Sequence, residues 1–539
     1  MVKHYLKISF RNLWKYKSFS MINIAGLAIG MAACLLILQY VSFKLSFDQF
    51  HSKADNIYRV VNDRYQQGKL IQHGTITYSG VGRAMNEDFE EVIENTRVVP
   101  SGEAIITYNN KRIAEPDLFF ADSNFLGVFD FPLVAGDRHS VLIQPNTVLL
   151  SEKLIDKIFE HEGNDYHQFI GKAVTLWRDS MPYKIEGVLK NVPENSHLQF
   201  QMLISYRTLI NRWKEAEHDF TQSDFWHYVQ LKRGTDHKTL NAKLGAFSQK
   251  HFNGNKVSGS DETFYLQPLS KAHLYSDFEY EIGRTGSSTV VWALLVIALF
   301  IITIAWVNYI NLATARSVER AREVGIRKVV GCERRQLITQ FLAESAIVNL
   351  IGMGLAIVFV LLLQPEFNKL LNYQLSLSYL LTKGLNGYSI LIGLISIVIA
   401  GIFVSGLYPA FVLSSFRPIT VLKGKFSSSQ RGIFFRKALV LGQFTVTIGL
   451  IIGSLVVMKQ IRYMNKTQLG FNMDQILVIS PPTLTNWDST FISRVNSFKE
   501  ELKQITHVQS AATSWNVPGG DIGRSFNVRQ ADSASTNQF

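Results

Sequence analysis

Five long apolar runs constrain this chain more than any other feature. They cover about residues 19–43, 289–312, 337–363, 388–413 and 438–458. A helix needs about 20 apolar residues to cross a bilayer, and each run meets that length. Charged residues bound every run, which five buried soluble helices would not need. The pattern predicts a polytopic α-helical membrane protein with about five spans. Residues 44–288, between the first two runs, are predicted to form a separate folded region.

Charge sets the expected orientation. Residues 1–18 carry Lys3, Lys7, Arg11, Lys15 and Lys17 with no acid, for +5. Residues 313–336 carry +4 and residues 414–437 carry +6, so the remainder is −3 in a chain of net charge +12. The basic excess thus lies wholly in three short segments beside the runs. That is the positive-inside pattern, and it argues against nucleic-acid binding, which calls for a basic face on a folded domain. The pattern predicts a cytoplasmic N-terminus, segment 313–336 and linker 414–437. Residues 44–288, the short loop 364–387 and the stretch 459–539 are then expected on the outer side.

The two cysteines are Cys34, in the first run, and Cys332, in segment 313–336. The outer region holds none, so it must rely on its own core, and its length is ample for one. "MAAC" before Leu35 loosely resembles a lipoprotein box, but the run stays apolar beyond it, which reads as an uncleaved anchor. Within 44–288 the stretches "NIYRVVNDRY", "AIITYNN", "NTVLLSE", "YKIEGVLKNV", "DFWHYVQLKRG" and "ETFYLQPLSKAHLY" read as strands. "SEKLIDKIFE" reads as a serine-capped helix. The expectation is a mixed α/β region of two subdomains.

The opening residues, with Leu6, Phe10, Leu13 and Trp14 set among Lys7, Arg11, Lys15 and Lys17, form a basic amphipathic pattern over 1–18 suited to the inner membrane surface. Residues 434–461 repeat this arrangement: a basic cluster, then an apolar run with Gly449 and Gly453, as Gly26 and Gly30 stand in the first. Small residues four apart let another helix approach closely. About 80 residues follow the fifth run, so 459–539 reads as the start of a second outer domain, in a chain truncated relative to its natural length.

Catalytic signatures are missing from the sequence. It has no Gly-x-x-x-x-Gly-Lys-Ser/Thr phosphate loop, no His-Glu-x-x-His and no Gly-x-Ser-x-Gly. His161, Glu162, Asp165 and His167 cluster without metal-ligand spacing and read as a solvated loop. The chain is expected to be no enzyme and to hold no cofactor or metal. Inside the runs, Asn308 and Asn311 share a helix face, and Glu344 lies about two turns into the third run. Such residues either bond helix to helix or mark a functional path.

Segment 315–337, "ARSVERAREVGIRKVVGCERRQL", is too organised for a plain connector. Glu323 precedes Arg327 by four residues, the favourable order for a helical ion pair. Gly325 is expected to interrupt the helix and Gly331 to end the following piece. Ile326, Val329 and Val330 give that piece an apolar side, suited equally to a membrane surface or to a partner's groove.

"RAREVGIRKVVGCERRQLITQFLAES" resembles the signature of the FtsX/MacB-type permeases of ATP-binding-cassette systems. Arg322, Glu323, Gly325, Ile326, Arg327, Lys328 and Gly331 carry the likeness, while Cys332 stands where alanine is commoner. "SNFLGVFDFPLVAGD", "NTVLLSEKLIDKIF" and "GVLKNVPENSHLQF" are similar to the MacB-like extracytoplasmic domain, and "SGLYPAFVLSSFRPITVLKGK" to the tandem permeases common in Bacteroidetes. The resemblance implies a bacterial inner membrane with the large domain periplasmic, and a coupling segment 313–336 that contacts a separate cytoplasmic ATPase, which would bind ATP and magnesium. It implies mechanotransmission: motion passes up spans one and two to the outer domain. Relatives export peptides, drugs or lipoproteins, with a periplasmic adaptor and an outer-membrane channel. An FtsX-like regulator of a periplasmic cell-wall hydrolase is the alternative. The implied partners are the ATPase and membrane lipids, with no nucleic acid.

Overall fold

The computed structural model describes residues 11–176, 181–315, 317–377, 388–414, 430–466, 476–479, 488–514, 527–528 and 537–538. Residues 1–10, loop 378–387 and the basic stretch 415–429 lie outside them, and with them much of the N-terminal amphipathic pattern and of linker 414–437. Six helices form the apolar part: α1 (Lys17–Leu45), α2 (Ser288–Ala315), α3 (Ser317–Val329), α4 (Arg334–Leu371), α5 (Tyr388–Ser414) and α6 (Gln430–Lys466). Among the described residues, stretches long and apolar enough to cross a membrane lie in Lys17–Leu45, Ser288–Ala315, Arg334–Leu371 and Lys437–Asn465. The α5 helix adds the apolar segment Ile395–Leu407.

α1 sits between α2 and α4 because small residues open both of its sides. A Cβ on Gly30 would come 2.7 Å from Ala305 Cβ in α2, and one on Gly26 would meet Asn308 Nδ2 at 3.4 Å. On the α4 side, a Cβ on Gly352 would come 3.2 Å from Leu27 Cβ. Backbone approach of this kind is the usual source of helix association in lipid. Around it pack Leu27, Met31, Leu35, Ile302, Trp306, Val348 and Ala356. Among the described residues, Gly449 and Gly453 of α6 meet nothing within 4 Å, so there the second glycine pair has the sequence context of the first without its packing.

The strands of residues 57–268 are hydrogen-bonded into one connected 14-stranded sheet. The strands are β1 (Ile57–Gln66), β2 (Lys69–Gly74), β3 (Thr77–Tyr78), β4 (Val92–Pro100), β5 (Ala104–Tyr108), β6 (Lys111–Glu115) and β7 (Leu118–Ala121). They continue as β8 (Leu133–Ala135), β9 (Thr147–Ser151), β10 (Ala173–Leu176), β11 (Pro182–Leu189), β12 (Met202–Ser205), β13 (Ser223–Leu231) and β14 (Asp261–Pro268). The order β14-β1-β13-β4-β7-β12-β9-β11-β10-β5-β6 is mostly antiparallel, with β9–β11 and β7–β12 parallel. The two expected halves survive as separate cores at its ends. One packs Leu240, Leu244 and Phe247 of helix His237–Phe252 against β1, β13 and β14. The other packs Leu154, Ile155 and Ile158 of helix Glu152–Phe159 against β9, β10 and β11. That helix opens as expected, with Ser151 Oγ accepting from Leu154 N at 3.1 Å. Between the two lies an aromatic core of Phe125, Phe129, Phe131, Phe200 and Tyr228.

Candidate functional site

α1 enters the α/β domain at Leu45 and α2 leaves it at Ser288, so the helix bundle has a domain end and a far end. The far end carries the segment that sequence reading singled out. α3 runs through Gly325 without a break, a correction to the expected interruption there. A glycine inside a helix costs only about 1 kcal/mol relative to alanine, and seating of the helix outweighs that. Gly325 is buried, as is its neighbour Val324, which packs with Leu337, Phe341 and Ala410 at the start of α4 and the end of α5.

Gly331 ends the segment as expected, at φ +97°. The amide of Cys332 donates to Arg327 O at 3.0 Å and that of Gly331 to Lys328 O at 3.1 Å. This is a Schellman cap, which needs a left-handed residue at the Gly331 position. α4 then opens with a capping box. Glu333 accepts from the third-residue amide, and Gln336 Oε1 accepts from Glu333 N at 3.2 Å. The Glu-x-x-Gln spacing of 333–336 was a signal for this start that the sequence analysis passed over.

Arg327 ties α3 to α4. Its Nη1 donates to Gln340 Oε1 at 2.6 Å, and its Nη2 reaches Glu323 Oε1 at 2.5 Å, the i,i+4 pair expected from the spacing. One turn beyond Gln340, Glu344 Oε1 accepts from Asn12 Nδ2 at 2.7 Å, so the N-terminal segment meets α4 on the same face. Asn12, Glu323, Val324, Arg327, Leu337, Gln340, Phe341 and Glu344 line one small cleft. The apolar side foreseen for α3 faces outward and uncovered: Ile326 is 54% exposed, Val329 65% and Val330 82%. Arg322 lies in α3, but its side chain is outside the described set, and Lys328 is half-buried beside Arg327.

The intramembrane polar residues divide. Asn308 faces α1 at Gly26, while Asn311 Oδ1 is buried without a hydrogen bond among the described residues. Sequence reading missed a second polar seam between α4 and α5. Ser345 Oγ pairs with Ser405 Oγ at 2.8 Å, and Asn349 Nδ2 donates to Ser405 Oγ at 3.1 Å. Its signal was Ser345 and Asn349 four apart in an apolar run.

The domain end is a knot of buried charge, also missed. Lys44, 5% exposed, donates to Tyr373 Oη at 2.9 Å and lies over the rings of Tyr40, Phe47 and Tyr373. The Phe47 ring stacks on His273 at 3.4 Å between centroids. Asp48, in the left-handed region at φ +59°, accepts from His197 N at 3.0 Å and lies 2.9 Å from His197 Nδ1. His197 Nε2 in turn meets Tyr228 Oη at 2.7 Å. Asn195 Nδ2 donates to Ser46 O at 2.9 Å. Burial alone would raise the Asp48 carboxyl, but the charge and hydrogen bonds of His197 hold it below the usual carboxylate range. Burial pushes His51 and His273 down to about 4. These residues are scattered in sequence, over 44–51, 195–197, 228, 273 and 373, and only the fold gathers them.

Family models agree with this division of the chain. A MacB-like periplasmic core domain matches residues 20–247, and an FtsX-like permease C-terminal domain matches residues 295–417. The macrolide export ATP-binding/permease protein MacB of Campylobacter jejuni is 30% identical over 443 residues, covering 77% of this chain and 60% of that protein. The uncharacterized ABC transporter permease YvrN of Bacillus subtilis is 22% identical, covering 65% of this chain and 84% of that one. The solved periplasmic region of MacB from Actinobacillus actinomycetemcomitans aligns over 40% of this chain and 91% of its own, at 16% identity and a TM-score of 0.29, too low to add weight. The chain belongs to the FtsX/MacB-type permeases of ATP-binding-cassette systems. It is a polytopic α-helical membrane protein with a large mixed α/β domain of the MacB-like periplasmic type.

Proposed function

We propose that the chain is a permease subunit that transmits the motion of a separate cytoplasmic ATPase across the inner membrane to its periplasmic domain. The observation that carries this is the far end of the bundle. α3 is held from behind by Val324 and Arg327, while Ile326, Val329 and Val330 stand uncovered. A helix anchored on one face and bare and apolar on the other suits docking in a partner's groove. Arg322, Glu323, Gly325, Ile326, Arg327, Lys328 and Gly331 form the ATPase-coupling set in this reading. ATP and magnesium belong to the partner, and the N-terminus and α3 lie in the cytoplasm. Movement enters at α3 and Asn12 and passes along α1 and α2, both continuous with the α/β domain. The cargo class is export of peptides, drugs or lipoproteins, with a periplasmic adaptor and outer-membrane channel.

Co-purification from the native membrane tests the reading. An ATPase with a phosphate-loop motif is expected to come down with the wild-type chain and to be lost with the double substitution Gly325→Leu, Arg327→Ala. Full recovery of that ATPase with the double variant would sink the assignment.

A further inference from the structure

We infer that α4 is a second mechanical link, running directly from the docking helix α3 to the α/β domain, with Gln340 and Tyr373 as its positioning residues at the two ends. This rests on the coupling role proposed above for α3, and adds to the route along α1 and α2 a path that the connectivity of the chain does not supply. At 38 residues, α4 is about 57 Å long at 1.5 Å per residue, enough to span the membrane and reach beyond it on both sides.

Its first turns grip the far end. Gln340 accepts from Arg327, Leu337 and Phe341 pack on Val324, and Glu344 accepts from Asn12. α2 continues into α3 through the chain, whereas α4 takes hydrogen bonds from both α3 and the N-terminal segment.

Its last turns grip the domain. The helix runs past Pro365 to Leu371, two turns beyond the expected span 337–363. A proline inside a helix removes one backbone bond, so packing must hold the turns beyond it. Phe367 and Leu371 supply it, against the cluster of Phe43, Phe47 and Leu375. The chain then folds into a hook fixed to the helix by Asn368. Its Nδ2 donates to Leu375 O at 2.8 Å, and its Oδ1 accepts from Leu375 N at 3.2 Å. From the hook, Tyr373 accepts from Lys44 and lays its ring 4.8 Å from Phe43. Gln374 N donates to Glu194 Oε2 at 3.0 Å, next to the segment Asn195–His197 that holds Ser46 and Asp48. A shift of α4 along its axis therefore bears on the loop that seats the end of α1 in the domain.

The test is hydrogen–deuterium exchange on the full chain in lipid nanodiscs, with no ATPase present. Exchange is read at residues 193–198, with the buried strand β9 as control. Gln340→Ala, at the far end, is expected to raise exchange at 193–198 by about threefold while β9 is unchanged. In the triple variant with Tyr373→Phe and Glu194→Ala, the added effect of Gln340→Ala is expected to vanish, a non-additivity that independent local roles would not produce. If Gln340→Ala leaves 193–198 unchanged, or if its effect persists in full in the triple variant, the link is overturned. Should Gln340→Ala expose β9, Arg327→Lys takes its place with the same two outcomes. Because no partner is present, failure here is distinct from failure of the ATPase reading, which co-purification decides.

Discussion

The two ends of the helix bundle are built on opposite principles. At the domain end, Lys44, Asp48 and His197 are almost wholly buried, and each has partners from a distant part of the chain. At the far end, α3 is pinned by one buried valine and one arginine, and its remaining apolar side chains lie bare. Buried, paired charge holds a single geometry, because breaking one partner leaves the other uncompensated in a low-dielectric setting. Exposed apolar side chains on a short helix are unfinished until something covers them. The contrast assigns rigidity to the domain end and exchangeable contact to the far end.

The sharpest way to break this comparison is Asp48→Ala. Removing one member of a buried pair typically costs about 3–5 kcal/mol. Thermal unfolding in detergent should fall by many degrees, and an unchanged midpoint would show that the knot is not rigidifying. Acid should have the next largest effect. His51 and His273 are held at about 4 in the fold, against 6.5 ordinarily. As pH falls the unfolded chain takes up these protons first, so stability is full above about 6.5 and is lost on the way down to about 4. At pH 5 the loss is on the order of 2 kcal/mol per histidine, one pKa unit being about 1.4 kcal/mol. A double His51→Gln, His273→Gln variant should flatten the unfolding profile between pH 7.5 and 5.

The glycine pairs sharpen the comparison inside the membrane. Gly30→Leu has to displace Ala305, and overpacking of this kind costs about 1–3 kcal/mol. Gly453→Leu meets open space and should stay within about 0.5 kcal/mol in the same melt. Arg327→Ala is expected to be mild for stability. Its pair with Glu323 is partly exposed, and such pairs are worth about 0–1 kcal/mol. The same variant should nevertheless weaken ATPase recovery markedly, and equal loss of stability and recovery would contradict an exchangeable docking role.

Legibility in the sequence followed the range of the interactions. Strands such as 57–66 and 223–231 announced themselves by β-branched and aromatic runs, and the helix Glu152–Phe159 by its serine cap. Both signals are local. Gly331 was legible because a left-handed residue is required there, whereas Gly325 misled because a glycine is only a weak breaker once neighbours such as Val324 are buried. Beyond the apolar run, Phe367 and Leu371 carry the same helix past Pro365, an extension that no local pattern marks.

By itself the sequence determined a membrane chain, the basic segments that set its expected orientation, and the organised segment 315–337 between two apolar runs. Hydropathy, charge and short spacings follow from solvent and from near neighbours alone. Only the tertiary structure decided that Gly26 and Gly30 are filled while Gly449 and Gly453 are open, that Asn12 meets Glu344, and that Lys44, Asp48, His197, His273 and Tyr373 form one knot. Those contacts join residues up to 332 positions apart. Their partners are chosen by which surfaces the packed helices and the sheet bring together, and no local pattern encodes that.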